Sequence, residues 1–399
     1  MLRLEVWMRI NNNVRRTAMP PLVELPRRAV VLAGQGADVI RVDQGAVDFP
    51  PPRTFVERVS EVLSDPEVHR YTPDAGLPEL RTALAGYAAE RLGVESDPES
   101  EIIVTAGANQ ACFAALMAVV EPDDEVLLPS PWYFNHAMTL TALGAVPVPV
   151  PTSGEKGFAP DAEVVAGLIT PRTRGLALVN PNNPTGVCYD DDLIRRLVEL
   201  AVERDLWILS DQTYHELHYG TEPPLSPAAI LGGRDRVITV SSFSKSLGLA
   251  GWRLGFLTGP AALVDEALKI QDCSVICASR ASQEGLLAAL PEAEQHIARV
   301  RSMLRDRRDR LVTSLHTAGL ETFVEPDGSL FLFLRLPAGE DDHTFCRRLL
   351  EEQHVVAVPG SAFGPGGEGS IRISFGSTPT ESLDEAVRRI AAALQSTPS

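Results

Sequence analysis

The stretch SSFSKSLGLAGWRLGF, residues 241–256, contains Lys245, one of three lysines in a chain with thirty-three arginines. Burial can bring a lysine amine to a neutral, nucleophilic form near physiological pH, whereas a guanidinium stays charged. Lys245 is therefore a candidate nucleophile. On this stretch alone, a solvated lysine in a helix-capping loop accounts for the pattern equally well.

Three other segments carry candidate chemistry. In VTAGANQACFAALMAVV, Gly107 and Ala108 are small enough for backbone to approach a ligand, and Asn109 and Gln110 open a helix whose first amides are free for an anion. An ordinary strand-to-helix turn explains that segment as well. In VNPNNPTGVCY, Pro181 and Pro184 restrict their neighbours, so Asn180 and Asn183 are expected on a rigid loop that aims side-chain amides at a ligand; a surface turn is the alternative. In LWILSDQTYHELHYG a buried strand ends on Asp211, with Tyr214 three residues later. A carboxylate there calls for a cationic partner, unless Ser210 or Asp211 caps a helix.

Positioning these groups falls to elements visible as periodicity. Short apolar runs (EIIVTAG, DEVLLPS, AVPVPV, RGLALVN, LWILSD, RVITVSS, RLGFLTG) alternate with helical stretches. The alternation predicts an α/β fold with a mostly parallel sheet and helices on both faces, its ligands at the carboxyl ends of the strands. After about residue 285 a long charged helix leads to LFLFLRL, a helix, VVAV, IRISF and a final helix, an α+β pattern. The expected division is an N-terminal arm with part of the small domain over 1–53, a large domain over 54–285 and a small domain over 286–399.

The 399 residues suit such a pair of domains, and the formal charge of −17 argues against nucleic acid or an anionic membrane as the main partner. Cys112, Cys188, Cys273, Cys277 and Cys346 are an odd number without metal-ligand spacing, which fits reduced thiols in a cytoplasmic protein. The start, MLRLEVWMRINNNVRR, lacks the apolar core of a secretory signal, and no run reaches membrane-spanning length. Met8 and Met19 are alternative starts, which would make the first eighteen residues a disordered or mis-assigned extension.

Taken in order and at their separations, NPNNPTG, SDQTY and SFSKSLGLAGWRLG resemble the marks of fold-type I enzymes that use pyridoxal 5′-phosphate (PLP). The chain looks most like the class I/II aminotransferases, the aspartate, aromatic and kynurenine kinds, from DQGAVDFPPP through SIRISFG. The resemblance implies that Lys245 forms the Schiff base with the cofactor aldehyde and shuttles protons, a setting that Lys156 and Lys269 lack. It implies that Asp211 pairs with the protonated pyridine nitrogen, so that the ring stays an electron sink. Asn183 and Tyr214 would hold the ring hydroxyl oxygen, and Tyr133 would stack on the ring, with Trp132 its rival one register away. Gly107, Ala108, Asn109, Ser242 and Arg253 would hold the phosphate. Tyr71 would reach the phosphate of the neighbouring subunit, which implies a homodimer. Arg372 would grip the substrate α-carboxylate, with Gly45 and Asn183 beside it; an arginine on an edge strand is the alternative.

Gln212 stands where the family often has an acidic residue, and GAVDFPPP where a glycine, proline and aspartate sequence is common; both lie near substrate or loop positions. Arg280 is either a surface arginine or a contact for an acidic substrate group. The reaction expected from the resemblance is transfer of an amino group from an L-amino acid to a 2-oxo acid. Elimination, replacement or cyclisation of the aminocyclopropane-carboxylate synthase kind starts from the same α-carbanion and stays open. A non-catalytic PLP sensor joined to a DNA-binding module is disfavoured, because the first fifty residues lack a helix-turn-helix pattern.

Overall fold

Six of the seven strands in the central sheet run parallel, and the exception follows from the segment that carries Lys245. The strand order is Ile102–Thr105, Gly255–Thr258, Val237–Ser242, Trp207–Asp211, Thr173–Val179, Glu125–Ser130, Val146–Pro151. Gly255–Thr258 is antiparallel to both neighbours. The connection before it holds only a one-turn helix, Phe243–Ser246, and a 3-10 turn, Ala250–Trp252. Without a crossover helix the chain has to return antiparallel. The structure, a computed structural model, describes residues 9–19 and 24–395.

Adjacent strand residues point into different cores, the period-2 signature of a sheet buried on both faces. Leu176, Leu178 and Ile208 pack with the helices Ala162–Leu168 and Asp191–Glu203, whereas Ala177, Leu209 and Ile238 pack with Ala108–Val119, Phe134–Leu143 and Ala261–Ser274. The three prolines within Val146–Pro151 sit on a sheet edge, where a missing amide donor is tolerated. Register aligns Val179 with Asp211, and it pairs Thr105 and Ser242 with Gly255. The segments carrying Gly107, Asn183, Tyr214 and Lys245 thus leave from the same end of the strands, where the segment carrying Arg253 enters.

A three-stranded antiparallel sheet places Ser370–Ser374 between Val358–Pro359 and Phe331–Arg335. Arg372 therefore lies on a central strand, which removes the edge-strand alternative. Ile40–Arg41 pairs in parallel with Val355–Val356, so the N-terminal segment joins the C-terminal core. The helix Ala293–Thr317 packs Ala293 and Ile297 with the large-sheet residues and Val300 through Leu315 with the C-terminal core.

Over residues 9–18 the expected disorder needs correction; residues 1–8 lie outside the described residues. Residues 12–16 form a helix capped by Asn11, whose Oδ1 accepts from the Asn13 amide at 2.8 Å. Asn13 packs so closely on Gly144 that a Cβ there would lie 2.7 Å from its Nδ2. Capping and that contact order a segment whose composition shows no apolar stripe. Met8 lies outside the described residues. Among the described residues no helix is long and apolar enough to cross a membrane.

Candidate active site

A cavity of about 290 Å³ opens over the strand ends. Gly45, Ala108, Asn109, Tyr133, Asn183, Asp211, Tyr214, Ser242, Lys245, Arg253 and Arg372 line it, and Gly107 packs directly behind Arg253. Asp43, Phe134, Thr213 and Ser244 are further wall residues that the sequence reading does not single out.

One end of the cavity has the features of an anion cradle. Gly107, at φ 86°, precedes the helix Ala108–Val119 and supplies no side-chain cap, which leaves the first-turn amides free for a ligand. A Cβ on Gly107 would stand 2.5 Å from Arg253 Nη2. Arg253 adopts φ 54° and is held by the Ala250 and Ala106 carbonyls, to which its Nη1 and Nη2 donate at 2.9 and 3.2 Å. Gly255 allows this close approach, since a Cβ there would sit 2.9 Å from the Ala108 nitrogen. Ser242 Oγ caps the one-turn helix by accepting from the Ser244 amide at 3.1 Å.

Beneath the middle of the cavity lies Asp211, 4 % exposed. Its Oδ1 accepts from the Thr213 amide at 3.0 Å, and its Oδ2 is 3.2 Å from His136 Nε2. The same nitrogen is 3.4 Å from Cys112 Sγ. These three side chains could be read as metal ligands. Burial and then Asp211 push the Cys112 thiol well above its ordinary pKa, and the three side chains form a hydrogen-bonded chain under the cavity. Burial and then Asp211 also push the Tyr133 phenol up to about 12. Tyr133 donates to Asn109 Oδ1 at 3.3 Å and meets the His136 ring edge-on at 5.3 Å. Trp132 turns away to pack on Gly364, where a Cβ would meet its ring at 2.4 Å.

Lys245 lines the same cavity and donates to the Gly45 carbonyl. Burial first, then the positive charges of Arg372 and Arg253, bring its pKa down to about 8. Lys156 ends a 3-10 turn and Lys269 pairs with Glu266 at 2.7 Å, so Lys245 alone of the three faces the cavity.

At the far end Arg372 Nη1 donates to Asn183 Oδ1 at 3.0 Å and Nη2 to the Asp43 carbonyl at 2.7 Å. Its Nε is buried without a partner. Desolvation lowers the Arg372 pKa to about 10. The NPNNPTG loop divides its work among its asparagines. Asn180 Oδ1 accepts from the Tyr189 amide at 3.0 Å, and Asn182 Oδ1 accepts from Thr185 Oγ1 at 2.8 Å. Those two brace the loop, and Asn183 alone of the three faces the cavity. The bonds before Pro181 and Pro184 are both cis. Burial pushes the Tyr214 phenol above its ordinary pKa.

Two expected residues lie outside this cavity. Tyr71 is 74 % exposed. Arg280 faces Glu67 at 3.8 Å and Glu284 at 3.9 Å. His136 escaped the sequence reading although it lies one helical turn after Tyr133, where i and i+3 share a face.

A mostly parallel sheet with lysine, aspartate and arginine gathered over its strand ends is the architecture of the fold-type I transferases. The chain belongs to the family described as aminotransferase class I and II, which matches residues 37–390. It is 35% identical to an aspartate aminotransferase of Thermotoga maritima over 96% of this chain and 98% of that protein. It is also 35% identical to aromatic-amino-acid aminotransferase 2 of Thermococcus litoralis, over 88% and 90% of the two chains. Among solved structures, the aspartate aminotransferase of Thermus thermophilus with maleate superposes with a TM-score of 0.91 at 33% identity, covering 97% of this chain and 100% of that one.

Proposed function

We propose that this aminotransferase moves an amino group from an L-amino acid to a 2-oxo acid with PLP held in the cavity over the strand ends. The observation that carries the reading is the placing of Lys245, the one lysine facing the cavity, among Asp211, the Gly107–Arg253 cradle and Arg372. The residues fit the cofactor. The Gly107 cradle is space a Cβ would fill, an uncapped helix start and a guanidinium suit a phosphate dianion, and a buried carboxylate suits a protonated ring nitrogen. When bound, PLP supplies the aldehyde that exchanges with the amino group and the ring that accepts electrons from the α-carbon.

The chain's own groups then have distinct tasks. Lys245 would attach the cofactor, and its amine, once displaced by that of the substrate and brought down to about 8 by burial, would take a proton from the substrate α-carbon and return it. Asp211 keeps the ring nitrogen protonated. Asn183 and Tyr214 hold the ring hydroxyl oxygen, and Tyr133 covers the ring. Ala108, Asn109, Ser242 and Arg253 hold the phosphate. Arg372, with Gly45 and Asn183 beside it, orients the substrate carboxylate.

Tyr71 projects from the surface, which supports a homodimer in which Tyr71 of the partner subunit completes the phosphate site. Five free thiols support a reducing, cytoplasmic setting. The division into 1–53, 54–285 and 286–399 is proposed with Ala293–Thr317 as the helix shared between the two larger parts.

Borohydride reduction of the PLP-loaded protein followed by peptide mapping tests the assignment. The label is expected on Lys245; a label on Lys156 or Lys269, or none, overturns it.

A further inference from the structure

Arg372 is a cation buried to 4 % exposure, and neither of its two hydrogen-bond acceptors carries a charge. Two aromatic rings lie against it, besides the favourable electrostatic influence of Tyr214 and Asp43. The guanidinium carbon lies 4.2 Å from the Phe331 ring centroid and 4.9 Å from that of Phe363. Both rings are fully buried. Strand register creates the first contact. Arg372 pairs directly with Phe333, and Phe331 is two residues along on the same face, within diagonal reach of a long side chain. The second ring comes from the turn Gly360–Phe363.

The Phe331 ring has two further contacts in the site. It meets the Tyr214 ring edge-on at 5.6 Å, and a Cβ on Gly45 would lie 3.3 Å from its Cζ. One side chain therefore touches the arginine, the glycine whose carbonyl receives Lys245, and the tyrosine on the cofactor side. A guanidinium occupied over its face is left with its in-plane N–H groups, the geometry that a two-pronged carboxylate contact needs.

We propose that Phe331 is a positioning residue for substrate recognition: its ring face fixes the Arg372 guanidinium for the substrate α-carboxylate and couples that grip to Gly45 and Tyr214. The inference rests on the reading of Arg372 as the carboxylate anchor. A branched aliphatic side chain fills much of the same space but offers no π face, so Phe331→Leu frees the guanidinium to rotate.

The test uses PLP-loaded protein and four readouts: KM for the best amino donor, kcat, the inhibition constant of propanoate against that donor, and the dissociation constant of PLP. For Phe331→Leu, KM and the propanoate constant are expected to rise about ten- to thirty-fold, the range of a desolvated cation–π contact. The PLP dissociation constant and kcat stay within about threefold. Phe331→Met, unbranched and ringless, repeats the measurement if the leucine variant does not fold. Arg372→Lys separates the two ideas. If it raises KM and the propanoate constant while Phe331→Leu or Phe331→Met leaves them unchanged, the Phe331 proposal is overturned. If it leaves both unchanged, the carboxylate reading falls first and the proposal with it. A loss of PLP affinity in the Phe331 variants as large as the loss of propanoate affinity marks general damage and also overturns the proposal.

Discussion

His136 Nε2 stands 3.2 Å from Asp211 Oδ2, while the Thr213 amide donates to the other oxygen, Oδ1, at 3.0 Å. A carboxylate so deeply buried is costly unless each oxygen is satisfied. The helix Phe134–Leu143 supplies the imidazole from its first turn, beside the Tyr133 ring. Asp211 is thereby held with both oxygens engaged while it still lines the cavity.

Removing one member of a buried charged pair typically costs about 3–5 kcal/mol. If most of that loss falls on the transition state for α-proton removal, Asp211→Ala slows this step by roughly two to four orders of magnitude. His136→Ala, which removes one hydrogen bond to a charged group, is expected to slow it by about ten- to a hundredfold. Exchange of the donor's α-hydrogen with deuterated solvent, followed by NMR, reads both. Normal exchange in the Asp211 variant would refute its assigned role.

Lys245 carries a second prediction. Burial and its two arginine neighbours set its pKa at about 8, against an ordinary value of 10.5, so half of the amine is neutral at about pH 8. In the cofactor-free protein, labelling of Lys245 by formaldehyde and cyanoborohydride should rise with pH to a midpoint near that value. Peptide mass spectrometry compares it with Lys269, which is exposed on a helix. Equal midpoints for the two lysines would contradict the buried amine.

Gly107→Ala is expected to weaken PLP binding by about five- to a hundredfold, the range set by a strained backbone. The added Cβ would stand 2.5 Å from Arg253 Nη2, and φ 86° disfavours any side chain. Fluorescence titration of the cofactor-free variant measures the loss. An unchanged dissociation constant would move the phosphate site elsewhere.

A fourth prediction concerns stability. Arg301 Nη1 lies 2.6 Å from His218 Nε2, and burial, then Arg301, lowers the His218 pKa from 6.5 to about 4. The unfolded chain therefore binds this proton first as pH falls. The contribution is complete above about pH 6.5 and is lost progressively down to about pH 4. Burial lowers the pKa of His215 and His296 as well, so the wild-type loss combines all three histidines. Urea unfolding at pH 7 and pH 4.5 should show a smaller pH effect in His218→Gln than in wild type. Equal effects would mean that His218 titrates normally in the folded protein.

The sheet and the main site segments are legible in the sequence because strand periodicity, rigid Asn-Pro pairs and a rare lysine are local signals. Lys245, Asp211 and Asn183 each stand inside such a segment. His136 and Phe331 do not. Their roles arise from contacts across 75 and 41 residues of chain, to Asp211 and Arg372, and side chains of those types are also ordinary core residues. The antiparallel strand Gly255–Thr258 is likewise hidden, since an apolar run reads the same in either direction. Asn180 and Asn183 look alike in sequence, and only the backbone amide of Tyr189 separates the brace from the cavity residue.

The last prediction separates transamination from elimination or replacement, and it depends on where the proton goes after Lys245 removes it from the α-carbon. In transamination Lys245 delivers the proton to the cofactor side, water releases the 2-oxo acid, and the nitrogen stays behind on the cofactor. Atoms balance without a second substrate, so the half-reaction stops after one turnover per site. In elimination the electrons instead expel a group from the substrate side chain, the cofactor is regenerated with Lys245, and turnover continues. A good amino donor alone is therefore expected to yield one equivalent of 2-oxo acid per site and to convert the bound cofactor to pyridoxamine phosphate, measured by chromatography. Adding a 2-oxo acid should restore the original absorption. The named relatives are aspartate and aromatic-amino-acid aminotransferases, so aspartate and phenylalanine are the first donors to try. Continuous turnover of S-adenosylmethionine or another substrate with a leaving group, with no pyridoxamine phosphate from any amino acid, would overturn the transamination reading.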